Sequence, residues 1–213
     1  MKITERQIRQ GYKPKNIVGI DESGICCYSG PIYAGAVILD YSKKYSKLIT
    51  DCKLLSTEQL AKAYKEIKEK AIDWSTAKAT VSEIDKFGTA WAIRNAMNRA
   101  YKNLKNKPDF AIIDYHNLTY LKIPQLGVPK ADLLYKCVSA ASIVAKYERD
   151  EEMKKCHKEY PEYHWDTNHG DFNKQHRNLI IQYGLTKFHR LSWCQSIEKN
   201  FNIKLFFREL KNK

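Results

Sequence analysis

Four carboxylates stand where a single site could be assembled: Asp21 and Glu22 in "GIDESG", Asp114 at the end of "FAIID", and Asp132 in "KADLLYKCVSAASIVAKYERD". Adjacent acids repel, and four gathered without a cation would keep some of their protons at neutral pH. A divalent cation removes that conflict. Hard carboxylate oxygens suit Mg2+ or Mn2+, ions that also bind phosphate oxygens. Two such ions can activate a water and stabilise the oxygen leaving a phosphodiester. The same residues have a plainer reading, because acids at strand ends and helix starts are common as turn formers and dipole partners. Residue type and spacing alone leave both readings open.

The elements that must position these acids are legible as hydrophobic periodicity. Residues 17–20 and 32–39 read as strands, the second a near-continuous apolar run suited to a buried place. Asp21 and Glu22 then leave the C-terminal end of the first strand. Ser56 opens a helix that runs to about Asp73, with Glu58 in its first turn. Residues 76–81 alternate as a strand, and 89–104 repeat Trp91, Ala92, Ala96, Ala100 and Leu104 at helical spacing. "FAIID" is a short strand. Residues 131–155 read as one long helix started by Asp132, with Leu134, Val138, Ala141 and Ala145 as its apolar stripe. "YPEYHWDTNHGDFN" reads as a loop, and the remainder as helices. Strands followed by helices imply an α/β layer, in which strand ends and helix starts converge on one functional edge. The expected organisation is a domain over residues 1–160 with a helical C-terminal region, 161–213, packed on it as one continuous unit.

The 213 residues carry a net charge of +13, which favours a polyanionic partner such as nucleic acid. A merely lysine-rich, solvated surface is the competing reading. No run of about 18 apolar residues occurs, so no membrane span is expected. "MKITERQIRQ" lacks the apolar core of a secretory signal, and the expected compartment is the cytoplasm. The six cysteines form no C-x-x-C pair and read as reduced thiols. None has finger-like spacing to His164, His169 or His176, which argues against structural zinc. Cys26 and Cys27 read as two small residues of a turn, since vicinal cysteines pair only under strain.

Taken in order, the motifs resemble the ribonuclease HII family, the type 2 ribonucleases H. "GIDESG" followed by Gly30-Pro31 and an apolar strand is similar to that family's opening motif. "DCKLLS" (51–56) is similar to its D-S-K-K-L-S, and "AIIDYHN" to the strand with the third acid. "KADLLYKCVSAASIVAKYERD" is similar to the segment with the fourth, and "HG" at 169–170, His176 and "HRLSW" (189–193) echo its C-terminal signature. The resemblance spans about residues 16 to 195. Asp132 rather than Glu at the fourth position, and the lack of an N-terminal extension, favour type HII over type HIII.

The resemblance implies an α/β fold with a ribonuclease H-like mixed β-sheet flanked by helices. It implies endonucleolytic hydrolysis of the RNA strand of RNA/DNA hybrids, or at ribonucleotides embedded in duplex DNA, leaving 3′-hydroxyl and 5′-phosphate ends. Asp21, Glu22, Asp114 and Asp132 would be the catalytic residues and hold Mg2+ or Mn2+, Lys53 and Lys146 would meet phosphates, and the protein would act as a monomer. Ser142 and Arg149 match family positions, with helix packing and local ion pairs as the alternative role.

Three departures fall on substrate recognition. The family's Gly-Arg-Gly, whose backbone approaches the ribose 2′-hydroxyl, is here Gly24-Ile25-Cys26. This loses a charged fork and a glycine whose backbone angles are expected to be needed; Cys27 also stands in place of a proline. Cys52 and Leu54 replace a Ser and a Lys. The family's Lys-Gly-Tyr-Gly-Thr becomes His169-Gly170-Asp171-Phe172-Asn173, so the stacking Tyr is Asp171, with Phe172 expected to take over by a one-residue shift. The expected enzyme therefore has altered junction recognition. The alternatives are a nuclease of changed substrate preference on the same scaffold, or a catalytically silent nucleic-acid-binding protein.

Overall fold

The structure is a computed structural model and describes residues 5–11, 13–115, 117–201, 204, 206 and 207. In chain order its elements are α1 (Glu5–Gly11), β1 (Ile17–Ser23), β2 (Ile32–Ile38), α2 (Thr57–Lys70), β3 (Asp73–Ala79), α3 (Val81–Phe87) and α4 (Thr89–Lys102). They continue with β4 (Phe110–Asp114), β5 (Gln125–Val128), α5 (Lys136–Glu159), α6 (Trp165–Asn168), α7 (Lys174–Tyr183) and α8 (Leu191–Phe201). The residues group into two compact units. The first comprises Met1–Ser23, Tyr33–Lys78 and Ile93–Glu148; the second comprises Gly24–Ile32, Ala79–Ala92 and Arg149–Lys213.

The first unit is organised by a mixed sheet of order β3-β2-β1-β4-β5. β1 pairs antiparallel with β2 and parallel with β4, and β4 pairs parallel with β5. Its central strands are apolar and buried along most of their length, as strands covered on both faces must be. The register does the positioning. Ile20 lies opposite Ile113 in the parallel β1–β4 pair, so the next residues, Asp21 and Asp114, emerge side by side at the C-terminal edge. Small residues let α5 close on the sheet: a Cβ on Gly19 would lie 2.2 Å from the Cys137 carbonyl carbon, and one on Gly35 2.2 Å from the Ala141 oxygen. Val138, Ala140, Ala141 and Val144 of that helix are fully buried with Val37, Leu39 and Ile112 in the core.

Local chemistry explains most element ends. Ser56 caps α2 with Gln59 in a reciprocal capping box, and Thr80 does the same for α3 with Glu83, so the strand expected at 76–81 ends at Ala79 and a helix follows. The expected single helix over 131–155 is two elements: a 3-10 turn, Ala131–Leu133, carries Asp132, and α5 begins only at Lys136. Lys130, with a left-handed backbone (φ 59°), and the Asp114 carboxylate, which takes the Ala131 N–H at 2.6 Å, fix the start of that turn, and the Ser139 hydroxyl of α5 donates to the Asp132 carbonyl at 2.6 Å. Leu134 is consequently exposed rather than part of the expected apolar stripe, and its neighbour Leu133 is exposed too. β5 has no hydrophobic alternation, all four of its residues being half-buried, and for that reason periodicity does not reveal it.

The second unit has its own core: Tyr28, Met153, Cys156, Tyr160, Tyr163, Trp165, Ile180, Leu185, Cys194 and Ile197. The aromatic stretch expected as loop contains a 3-10 turn, Pro161–Tyr163, and the short α6. His176 is a core residue: the Trp165 Nε1–H donates to its Nε2 at 3.1 Å, and burial lowers its pKa to about 4. All six cysteines are free thiols. Among the described residues no helix is long and apolar enough to cross a membrane.

Candidate active site

Three of the four acids meet. Asp21, Glu22 and Asp114 each place an oxygen within 4.8 Å of the other two. Asp132 lies outside that trio, on the turn before α5, but its charge acts on both Glu22 and Asp114. Their neighbours orient them. Asp21 Oδ1 accepts the Glu22 backbone N–H at 2.8 Å, and the Ser142 hydroxyl of α5 hydrogen-bonds the same carboxyl. Asp114 is held by the Ala131 N–H, which ties the end of β4 to the turn bearing Asp132.

The electrostatics are those of a site short of positive charge. Asp21 is pushed well above the ordinary carboxyl range, first by burial and then by Glu22 and Asp114. Glu22 is raised to about 7 by burial and Asp114. Asp114 is raised chiefly by burial and then by Asp132, against the backbone hydrogen bonds that lower it. Each shift is what a buried carboxylate beside like charges must show. A hard divalent cation fits this donor set: it would supply the missing charge to oxygen ligands that are already gathered and oriented.

Of the expected phosphate contacts, Lys53 is exposed and stands at the centre of the 3-10 turn Cys52–Leu54, whose cap is Asp51. Burial would lower its pKa, but Asp132, Asp51 and Asp21 outweigh that and raise it, so it lies within the field of the acids. Lys146 is half-buried on α5, and its charge reaches Cys52. Cys52 Sγ lies 3.3 Å from the Ser142 hydroxyl that also serves Asp21.

Gly24, Ile25, Cys26 and Phe172 belong to the second unit, where two buried guanidinium groups organise the 24–31 turn. Arg190 donates to the carbonyls of Gly24 (2.6 Å), Ile25 (2.7 Å) and Gly30 (2.8 Å). Arg149 donates to the carbonyls of Pro31, Ser29 and His169 and to Cys27 Sγ at 3.0 Å. Gly24 is required twice over: its φ is +90°, and a Cβ would lie 2.0 Å from Arg149 Nε. Cys26 is different. It is exposed, and it is not among the residues with positive φ. The expected backbone penalty for losing the second glycine is therefore absent. Cys27 is buried, its thiol raised to about 11 mainly by that burial. Phe172 is half exposed and stacks on Tyr28 with ring centroids 4.4 Å apart.

Sequence reasoning missed Arg190 and left the role of Arg149 open. Among the described residues the hydrogen bonds of Arg149 run to carbonyl oxygens and to sulfur, and those of Arg190 to carbonyl oxygens. The available signal was an arginine inside each of two motifs that carry the family resemblance, "AASIVAKYERD" and "HRLSW". A buried arginine needs partners, and here they are turn carbonyls distant in sequence.

A mixed five-stranded sheet with acids at the shared edge of its parallel central pair defines a ribonuclease H-like fold. The comparisons narrow this. The family model for ribonuclease HII matches residues 18–196. The ribonuclease HII of Idiomarina loihiensis is 38% identical over 174 residues, covering 82% of this chain and 92% of the relative. That of Pelagibacter ubique is 41% identical over 177 residues, covering 83% and 94%. The crystal structure of ribonuclease H2 from Pyrococcus horikoshii OT3 superposes with a TM-score of 0.75 at 23% identity, covering 89% of this chain and all of that one. The chain belongs to the ribonuclease HII family and is an endoribonuclease, a hydrolase of phosphodiester bonds.

Proposed function

We propose that the protein is a divalent-cation-dependent endonuclease that cuts the RNA strand of RNA/DNA hybrids and ribonucleotides embedded in duplex DNA. It leaves 3′-hydroxyl and 5′-phosphate ends, acts as a cytoplasmic monomer, and has altered junction recognition. The observation that carries this reading is the convergence of Asp21, Glu22 and Asp114 within 4.8 Å in a member of this family.

Asp21, Glu22, Asp114 and Asp132 would hold Mg2+ or Mn2+. When bound, the cation supplies Lewis-acid charge at the phosphate under attack and at the oxygen that departs. Ser142 and the Glu22 N–H aim the Asp21 carboxylate, and the Ala131 N–H aims Asp114, so their lone pairs are set before substrate arrives. Glu22, with a pKa near 7, gives up its proton close to neutral pH as the cation enters. Lys53 and Lys146 offer positive charge to the backbone of the bound strand, which makes affinity fall with salt.

Gly24, Ile25 and Cys26 occupy the family's 2′-hydroxyl-reading turn. Arg190 fixes the carbonyls of Gly24 and Ile25, so the turn keeps its course while losing the family's charged side chain at position 25. Junction recognition is weakened by that missing charge rather than by backbone strain. Phe172 supplies the aromatic face of this region. Cutting at a lone ribonucleotide is consequently weak relative to cutting of long hybrids.

The test uses three labelled duplexes: all-DNA, a long RNA/DNA hybrid, and DNA with one ribonucleotide, each with Mg2+, Mn2+ or chelator. The hybrid is cut only with cation, and the single ribonucleotide is cut poorly until Ile25→Arg is introduced. Absence of cation-dependent cutting of any RNA-containing strand would sink the reading. All-DNA cleavage that is lost in Asp21→Asn would instead establish a changed substrate preference.

A further inference from the structure

Ser139 and Ser142 stand three residues apart on α5, and their hydroxyls go different ways. The Ser139 hydroxyl turns back along its own chain, to the Asp132 carbonyl at 2.6 Å and the Tyr135 carbonyl at 3.2 Å. A bond to the carbonyl four residues earlier is the usual recourse of a serine inside a helix. The Ser142 hydroxyl goes instead to side chains. It hydrogen-bonds the Asp21 carboxyl, and its oxygen lies 3.3 Å from Cys52 Sγ. Both serines are buried, so each takes its partners from the protein.

Counting protons fixes the direction of this chain of contacts. A hydroxyl has one proton to give and two lone pairs to receive. A carboxylate only accepts, so once Asp21 is ionised, the state in which it can hold a cation, the Ser142 proton goes to Asp21. The Ser142 oxygen is then the acceptor, and the Cys52 S–H is the donor. Burial raises the Cys52 thiol above its ordinary pKa, so the proton is there to be given. The sulfur is also held in place. Cys52 is 6% exposed and opens the 3-10 turn Cys52–Leu54. Asp51 takes the Lys53 N–H at 2.9 Å, and the Leu55 N–H donates to the Cys52 carbonyl at 3.3 Å.

We propose that Cys52 is a positioning residue for cation binding: its S–H keeps the Ser142 hydroxyl off the α5 backbone and aimed at Asp21. The carboxylate then meets the cation already oriented, as ligands held by outer hydrogen bonds do. This rests on the nuclease reading above for what the acids bind, and extends it to a residue that acts through Ser142. Without the thiol donor, the Ser142 oxygen is short of a partner in a buried place. Its hydroxyl is then drawn to the Val138 carbonyl, four residues earlier, as that of Ser139 is to Tyr135.

The test is a double-mutant cycle on Cys52 and Ser142, read as Mn2+ affinity from the free-ion electron paramagnetic resonance signal, without nucleic acid. Cys52→Ala weakens Mn2+ binding about two- to fivefold, the scale of one neutral hydrogen bond. Cys52→Val, which fills the space without a donor, does the same. Cys52→Ser, whose O–H is a better donor than S–H, restores the parent affinity. In a Ser142→Ala background, Cys52→Ala causes no further loss. The Mn2+ midpoint of hybrid cleavage shifts by the same factors. Equal losses from Cys52→Ala with and without Ser142, or parent affinity in Cys52→Val, would overturn the proposal. A parent chain that binds no Mn2+ would defeat the cation reading alone. Crystal structures of the parent and Cys52→Val, cation-free at alkaline pH, still decide Cys52: the Ser142 hydroxyl leaves Asp21 for the Val138 carbonyl in the variant, and an unmoved hydroxyl would refute its role.

Discussion

The acid edge of the first unit and the 24–31 turn of the second both hold buried charge, yet they resolve it in opposite ways. At the acid edge, burial raises the pKa of all three acids, Asp114 raises Asp21 and Glu22 further, and nothing of opposite sign lies within the trio. In the turn, Arg149 and Arg190 are almost wholly buried, but carbonyl oxygens surround them. One arrangement is left electrostatically incomplete by the chain; the other is finished by the chain itself. A candidate active site and a structural clamp can thus look alike in sequence, each made of charged residues next to apolar runs. They differ in whether the fold satisfies the charge.

The comparison breaks or holds on substitutions that should move activity and stability in opposite senses. Asp21→Asn should lower hybrid cleavage at least about a thousandfold, a loss on the scale of removing preorganised charge from a reaction centre. The same variant should raise the melting temperature in chelator, because it relieves repulsion; steady-state kinetics and thermal unfolding check both. Arg190→Met should do the reverse to stability, costing about 3 kcal/mol because three turn carbonyls lose their donor. Urea unfolding would read it, and an undiminished midpoint would show that water replaces the guanidinium.

The pH response sharpens the same contrast. Glu22 has a folded pKa of about 7 against an ordinary 4.5, so the folded state holds its proton more tightly than the unfolded state does. The stability this confers is full below about pH 4.5 and is lost as pH rises through about 7. In chelator the melting temperature should therefore fall between pH 5 and 8, and saturating Mg2+ or Mn2+ should flatten that slope by replacing the proton. The smallest effect is expected at Cys26: with an ordinary φ and an exposed side chain, Cys26→Gly should change stability by less than about 1 kcal/mol.

Legibility followed the range of the forces involved. Strands β1, β2 and β4 and helices α2 and α4 were readable because their apolar periodicity and caps are local. β5 was not, since its half-buried residues alternate with nothing. The break between Asp132 and α5 was hidden because the contact that anchors the turn, the Asp114 carboxylate on the Ala131 N–H, joins residues 17 apart in the chain. The expected strain at Cys26 failed for a related reason: a family glycine does not imply a positive φ at every member's equivalent residue, whereas Gly24 and Gly30 do have it.

The amino-acid order by itself determined which residues could do chemistry and the strands that end in acids, because residue type, hydrophobic period and capping act within a few positions. Only the tertiary structure decided that Asp21, Glu22 and Asp114 share one small volume while Asp132 stands just outside it, since parallel register brings together residues 93 apart. Tertiary structure alone also separated Arg190 from a surface cation. That depends on which distant carbonyls lie within hydrogen-bonding reach, and no local pattern encodes that distance.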